Sequence, residues 1–190
     1  MSRKVYRVPV HLDPKGIRQL SQDDVKAILR AAEDLIFRGG RTLLAKVLKG
    51  SRAKKVLEFM LTKNPAYGFY KNLTEPEILA RIDWMILNDL LAIEYDYRLP
   101  LLVFTDRGWE IEKAAFATEL LQGFDAMLAA AKRPFEMSYL KDRDRGMILL
   151  LLDKVEATGD PNYIPLLEAW AEVDYRKVKQ RIRQVISRLA

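Results

Sequence analysis

Apolar residues recur every three or four positions along most of the first ninety residues, the spacing of amphipathic helices. The predicted helices run from Ser21 to about Phe37, from Thr42 to Leu48, from Ser51 to about Leu61 and from Thr74 to about Leu90. Ser21 and Thr74 are the expected N-caps of the first and fourth helices. Gly50 is the expected C-cap of the second helix, and Ser51 the N-cap of the third.

The pattern changes after the fourth helix. Two short runs rich in β-branched, aromatic and leucine residues, Leu91–Tyr95 and Leu101–Thr105, predict a β-hairpin. Helices followed by a hairpin give the order of a winged helix, in which the hairpin is the wing. Many transcription factors and protein-interaction modules share this order, so it does not specify a function.

The second half of the sequence predicts helices only. They run from Trp109 to Lys132, from Arg145 to Ala157, from Tyr163 to Ala171 and from Tyr175 to Leu189. The last two weakly resemble a HEAT-type pair. One such pair cannot bury its own apolar face, so it should pack on the preceding helices or on a partner.

The predicted fold is therefore mainly α with a small β-hairpin: a winged helix followed by an all-helical C-terminal domain with a HEAT-like helix pair. The expected parts are an N-terminal arm at 1–20, a winged-helix domain at 21–108, a linker helix at 109–132 and a helical C-terminal domain at 133–190. The arm is expected to be extended, since it carries Pro9, Pro14 and Gly16 and has no helical period.

Composition excludes several classes of function. The chain has 190 residues, no cysteine and one histidine, His11. A disulfide scaffold, a cysteine-ligated metal centre and a thiol nucleophile are thereby excluded. A lone histidine also disfavours a histidine-based dyad or metal cluster. The two aspartates within residues 141–145 are typical of a solvated helix start. We therefore expect no enzymatic activity, no cofactor and no metal site.

No stretch indicates a membrane. The longest apolar run, Met147–Leu152, is too short to span a bilayer. The basic N-terminus is not followed by the apolar run of a signal peptide. The sequence predicts a cytoplasmic protein without a membrane partner.

Positive charge is concentrated in the first half of the chain. The formal net charge is +6, with 19 Lys/Arg and 13 Asp/Glu up to Arg107 and 13 of each beyond it. The stretch Arg38–Lys55 alone holds seven Lys/Arg residues and no acidic one. A patch of this kind indicates a site for phosphates or another polyanion.

Two runs resemble the RecQ C-terminal (RQC) winged-helix domain of RecQ helicases: GGRTLLAKVLKGSRAKKVLEF and YGFYKNLTEPEILARIDWMILNDLLAIEYDYRLPLLVFTDRGWEI. The signs are VLKGS, the later Tyr-Gly pair, the helix ending in NDLL and the strand LVFTDRG, between Asp24 and Ile111. The whole chain resembles more closely the stand-alone bacterial RQC-minor proteins, which pair this domain with a helical tail. It has no GxxxxGK[ST] loop, so we expect the DNA-binding part of a DNA-repair helicase without the motor.

The resemblance assigns roles to the basic stretch. In the RQC family, the serine of the Gly-Ser pair and the basic residues around it contact backbone phosphates. A helix N-terminus at Ser51 would add free N–H groups to such a site. The candidate DNA-binding residues here are Arg38, Arg41, Lys49, Ser51, Arg52, Lys54 and Lys55. The alternative is a capped helix with a solvated basic face.

Four more candidates lie outside this stretch. They are Lys71 in the loop after Tyr67, Arg81 on the fourth helix, and Tyr97 and Arg98 at the wing tip. In several RQC domains an aromatic residue at the tip wedges against a terminal base pair, and such stacking is worth about 1–3 kcal/mol. Tyr97 takes that role by resemblance, unless it covers the core. Tyr95 and Tyr67 are expected to contact the core.

The last predicted helix, in YRKVKQRIRQVISRL, carries six Lys/Arg and no acidic residue. Cations near a helix C-terminus are favourable because of the helix dipole, which is one explanation. The other is a second surface for nucleic acid or a protein partner.

We expect a protein that binds duplex or branched DNA, at ends, forks or junctions, mainly through phosphates. Its affinity should fall steeply with salt. One alternative is a winged-helix adaptor whose helical C-terminal domain contacts a protein partner. A sequence-specific regulator is the other, disfavoured because residues 74–91 are poor in the Arg, Asn and Gln that read bases.

Overall fold

The structure is a computed structural model that describes residues 6–190; residues 1–5 of the predicted arm lie outside it. The chain divides into two compact units, the first ending at Glu112 and the second running from Lys113 to Ala190. No helix among the described residues is long and apolar enough to cross a membrane.

The described part of the first unit contains four complete α-helices and a hairpin. Its elements are α1 (Gln22–Glu33), α2 (Arg41–Lys49), α3 (Lys54–Glu58), α4 (Glu75–Leu87), β1 (Leu91–Asp96), β2 (Leu99–Phe104) and the start of α5 (Asp106–Ala130). The predicted winged-helix order is confirmed. Apolar side chains of α1, α2, α4 and the hairpin form one core, with Ile28, Leu29, Leu44, Leu48, Ile78, Ile82 and Leu102 fully buried.

Local capping signals start α1 and α4 where they were predicted. The Ser21 hydroxyl accepts a hydrogen bond from the Asp24 amide, and the Asp24 carboxylate accepts one from the Ser21 amide. Thr74 and Glu77 form the same reciprocal pair at α4. Each capping box satisfies two amides that a helix start would leave without partners.

α1 ends at Glu33, four residues before the predicted end at Phe37. The backbone of Phe37 has a φ of 57°, which takes it out of the helix. Its amide donates to the Leu102 carbonyl oxygen at 3.1 Å, and the Leu102 amide donates to the Gly39 carbonyl oxygen at 2.9 Å. Pairing with β2 therefore replaces the last helical turn.

The prediction for Gly50 is confirmed and that for Ser51 is wrong. Gly50 ends α2 in the left-handed conformation, with φ 80°. The Ser51 amide donates to the Lys46 carbonyl oxygen and the Gly50 amide to that of Val47, both at 2.9 Å. This Schellman pattern makes Ser51 part of the turn that ends α2, and α3 begins only at Lys54. The N-cap of α3 is Ala53, whose amide donates to the Ser51 hydroxyl at 3.2 Å.

The wing is a regular antiparallel hairpin, slightly longer than predicted. β1 and β2 pair from Leu91 opposite Phe104 to Asp96 opposite Leu99. Only Tyr97 and Arg98 remain for the turn, and Tyr97 adopts a φ of 53°. The tip therefore consists of an aromatic and a basic residue.

α5 begins immediately after the wing, and Gly108 lies in its first turn. A Cβ atom built on Gly108 would lie 1.8 Å from the Leu90 carbonyl oxygen. Helix and chain can approach this closely only because the side chain is absent. The Gly108 amide also donates to the Thr105 hydroxyl, which in turn donates to the Asp89 carbonyl oxygen.

The second unit is entirely helical in its described elements. After the remainder of α5 it contains α6 (Arg145–Thr158), α7 (Ile164–Val173) and α8 (Arg176–Leu189). α8 packs against both α6 and α7, as expected for a pair that cannot bury its own face. The core includes Phe124, Leu151, Leu167, Trp170 and Ile182, all fully buried.

Candidate nucleic-acid interface

The turn at Gly50 is built against the Tyr67-Gly68 pair. The Gly68 amide donates to the Val47 carbonyl oxygen at 3.0 Å. The Tyr67 hydroxyl lies 2.8 Å from the Gly50 carbonyl oxygen and 3.2 Å from that of Ser51. A Cβ atom on Gly50 would lie 3.1 Å from the Gly68 Cα atom. The two sequence signs VLKGS and Tyr-Gly are therefore the two sides of one contact.

The Tyr67 hydroxyl should hold this turn in place. We expect Tyr67→Phe to lower the free energy of unfolding by about 1–2 kcal/mol, because the Gly50 carbonyl loses its hydrogen-bond donor. Tyr97→Phe is the matched control. Tyr97 is 65% exposed, so its change should stay within about 0.5 kcal/mol. Urea denaturation followed by circular dichroism measures both. Equal stabilities of the two variants would show that the hydroxyl has no structural role.

Two of the predicted phosphate contacts also make internal contacts. The Lys49 ammonium donates to the carbonyl oxygens of Lys71 at 2.7 Å and Leu73 at 2.6 Å. It holds the 71–73 segment against the end of α2 and keeps one N–H bond for another acceptor. The Arg41 guanidinium forms an ion pair with Asp83, which is 3% exposed. Arg41 therefore connects the start of α2 to α4.

Four other cations in and beside the stretch point into solvent. Arg52, Lys54, Lys55 and Lys71 are all exposed. Lys54 lies 3.6 Å from Glu58 in an ion pair whose two side chains are 89% and 49% exposed. Such surface pairs contribute little to stability and break easily. Arg38 is also exposed, and its guanidinium lies 4.6 Å from the centre of the Phe59 ring.

A groove of about 550 Å³ runs between the basic stretch and the wing. Arg41, Lys46, Lys54 and Lys55 line it from the α2 and α3 side. Ile93 and residues 100–102 line it from the wing, and residues 8–10 close it from a third direction. Three of the predicted cationic residues, Arg41, Lys54 and Lys55, therefore share one concave surface with the wing. Lys46 belongs to this groove although the sequence analysis did not select it.

The N-terminal arm reaches the wing tip. The Val8 amide donates to the Arg98 carbonyl oxygen at 3.1 Å, and the Tyr95 hydroxyl donates to the Val8 carbonyl oxygen at 2.8 Å. The Arg7 guanidinium lies 5.0 Å from the centre of the Tyr95 ring. Tyr95 thus holds the arm, a role that the sequence analysis missed. Tyr97 is 65% exposed beside Arg98, whose guanidinium lies 5.4 Å from its ring centre.

Arg81 belongs to a half-buried network beside α1. Its guanidinium donates to the Glu77 carbonyl oxygen at 3.0 Å and lies 5.4 Å from the centre of the Tyr70 ring. The Tyr70 hydroxyl donates to Asp24 at 2.6 Å. Burial raises the pKa of Tyr70 far above its ordinary value, and the hydrogen bond to Asp24 adds to the rise. Burial also raises the pKa of Asp24, but hydrogen bonds from Ser21 and Tyr70 outweigh it and leave this pKa lowered.

Comparison with known proteins places the chain beside a domain family and a helicase. A family model described as the RQC domain matches residues 18–121. The ATP-dependent DNA helicase RecQ of Bacillus subtilis (strain 168) is 34% identical over 76 residues. That match covers 40% of this chain and 13% of the helicase, so the chain corresponds to a small part of its relative. No solved structure matches. Within residues 6–190, no group of three or more histidine, cysteine or acidic residues could hold a metal ion.

Proposed function

This chain belongs to the RQC domain family, and on that premise we propose that it is a DNA-binding protein whose first unit holds duplex DNA by the backbone phosphates. The observation that carries the proposal is the groove between the basic stretch and the wing, with exposed Lys54 and Lys55 on its wall. Cations beside a concave surface are the usual means of positioning a duplex without reading its sequence.

The phosphate contacts that we propose centre on residues 52–55. Arg52, Lys54 and Lys55 follow the Gly50 turn within one short segment, and all three are exposed. Lys71 joins them because Lys49 holds its carbonyl oxygen at the end of α2. Arg41 and Lys49 would act mainly by positioning this surface, since each already has an internal partner.

Ser51 and Arg38 would lie at the margin of the same surface. The Ser51 hydroxyl accepts one hydrogen bond from Ala53 and retains its own proton for a phosphate oxygen. α3 has only five residues, so its dipole adds little to this site. The affinity would come from side-chain cations, and therefore depend strongly on salt.

The wing tip would contact the end of a duplex. Tyr97 is exposed at the turn, and Arg98 beside it can contact a phosphate. Stacking of an aromatic ring on a terminal base pair favours ends, forks and junctions over continuous duplex. Arg81 would contribute least to DNA binding, because its guanidinium already contacts the Glu77 carbonyl oxygen and the Tyr70 ring.

The test is the charge reversal Lys54→Glu/Lys55→Glu. Fluorescence anisotropy would be measured with labelled blunt, forked, junction and single-stranded DNA across a salt series. We expect duplex affinity to fall at least about tenfold, and the slope of log K against log salt to become shallower by about 1.8, for two lost phosphate contacts. Both side chains are exposed, and Lys54 pairs with the exposed Glu58, so the fold should remain intact.

Arg18→Glu/Lys26→Glu is the matched control. It makes the same change in net charge at two exposed positions of the first unit that do not line the groove. It should bind duplex much more tightly than the groove variant. Equal losses in the two variants would show a general charge effect, and the proposed site would then be wrong.

A further inference from the structure

The second unit has a basic cavity of its own. It has a volume of about 600 Å³ and lies between the segment before α6 and the start of α8. Its cationic lining residues are Lys141, Arg143, Arg145, Arg176 and Lys177. Asp142 and Asp174 are its acidic ones, so the ionisable lining carries a net charge of +3.

The two aspartates already have internal partners. The Asp174 carboxylate accepts hydrogen bonds from the Trp170 indole and from the Tyr175 amide, both at 2.6 Å. Asp142 accepts one from the Tyr175 hydroxyl at 3.1 Å. These carboxylates position Tyr175 and stabilise the fold.

The charges of α8 divide into two groups. Toward its C-terminus, Arg181 contacts Asp153 and Glu156, each at 2.7 Å, and Arg188 also pairs with Glu156. Toward its N-terminus, Arg176 and Lys177 are exposed and have no carboxylate partner among residues 6–190. Structural ion pairs therefore explain Arg181 and Arg188 and leave Arg176 and Lys177 without a structural role.

Stability alone would not place cations at the start of α8. The positive end of a helix dipole favours acidic residues in the first turn and disfavours lysine and arginine. The first turn of α8 nevertheless has Arg176 and Lys177 and no acidic residue. A cost of this kind is offset if the two side chains bind an anion that the structure does not contain.

We propose that this cavity binds single-stranded nucleic acid. Arg145, Arg176 and Lys177 would contact successive phosphates, and an unpaired base would stack on Tyr175. Tyr175 is 58% exposed and lines the cavity, with the Lys141 ammonium 5.1 Å from the centre of its ring. A cationic groove combined with an aromatic platform is the usual arrangement for single strands. An acidic protein would use the cations but gain little from the open aromatic ring.

The test separates this cavity from the first unit. The full chain carrying Lys54→Glu/Lys55→Glu serves as the background, so that binding through the groove is already weakened. On it, Arg176→Glu/Lys177→Glu should lower the affinity for a labelled oligothymidylate about tenfold and make the salt slope shallower by about 1.4. Lys132→Glu/Arg183→Glu makes the same charge change at exposed positions outside the cavity and should have much less effect.

The Arg176→Glu/Lys177→Glu variant should fold normally, because glutamate in the first turn of α8 is favourable. A bromodeoxyuridine-containing oligonucleotide should cross-link on irradiation to the peptide that contains Tyr175. Unchanged affinity of the cavity variant, or cross-links confined to the first unit, would overturn the proposal. So would polyglutamate binding as tightly as the oligonucleotide and responding to the same substitutions. None of these results would contradict the proposal that the first unit binds duplex DNA.

Discussion

Replacing Gly108 with alanine is expected to lower the free energy of unfolding of the first unit by about 3 kcal/mol, the upper end of the cost of overpacking. The added Cβ atom would lie 1.8 Å from the Leu90 carbonyl oxygen and 2.8 Å from its carbonyl carbon. Both are backbone atoms, so no side chain can rotate away. The start of α5 would have to move from the end of α4, and the wing lies between these two elements.

Gly123→Ala provides the control in the same helix. A Cβ atom on Gly123 meets nothing within 4 Å, so the change should raise stability by about 0.5–1 kcal/mol through helix propensity. Amide hydrogen exchange read by mass spectrometry resolves peptides from each unit and gives both values. If the amides of the first unit exchanged as slowly in Gly108→Ala as in the wild type, the close approach of Gly108 to Leu90 would be contradicted.

Replacing Asp83 with alanine is expected to lower the free energy of unfolding of the first unit by about 3 kcal/mol. Asp83 is 3% exposed and accepts hydrogen bonds from the Asp13 amide, at 2.9 Å, and from the Arg41 guanidinium. Removing one partner of a buried pair leaves the other charge without compensation, which costs about 3–5 kcal/mol. We expect the lower end of this range, because the Arg41 side chain is 24% exposed and therefore still partly hydrated.

Glu58→Ala tests an ion pair of the opposite kind. It removes the exposed partner of Lys54 and should change stability by less than about 0.5 kcal/mol. Urea denaturation would compare the two variants, and Asp83→Asn would separate the carboxylate's charge from its shape. If Asp83→Ala cost no more than Glu58→Ala, the link between α2 and α4 would not stabilise the fold.

Much of the fold follows from signals only a few residues apart. The capping boxes at Ser21 and Thr74, the C-cap at Gly50 and the alternation of the wing all appear in the structure. The errors arose where contacts distant in sequence decided the result. α1 stops early because Phe37 pairs with Leu102, a residue far along the chain. Ser51 is not the cap of α3 because the turn at Gly50 delays the helix to Lys54, and the Ser51 hydroxyl accepts from the Ala53 amide instead.

The candidate site likewise has features that follow from local sequence and features that depend on distant contacts. The exposure of Arg52, Lys54 and Lys55 follows from the clustering of charges in one short segment, which could be read directly from the sequence. The internal roles of Lys49 and Arg41 depend on the Lys71 carbonyl and on Asp83, which lie 22 and 42 positions away. No local pattern distinguishes these two cations from their exposed neighbours. The contact between Tyr95 and the arm was likewise invisible, because it joins positions 87 apart.

The contact between Gly50 and Gly68 has a consequence for evolution. A Cβ atom on Gly50 would lie 3.1 Å from the Gly68 Cα atom, and both glycines have a left-handed φ, so a side chain at position 50 would require Gly68 to shift. Among homologous chains the two positions should therefore change together, because co-variation marks residues in contact. Distant relatives are better recognised by this pair than by either motif alone.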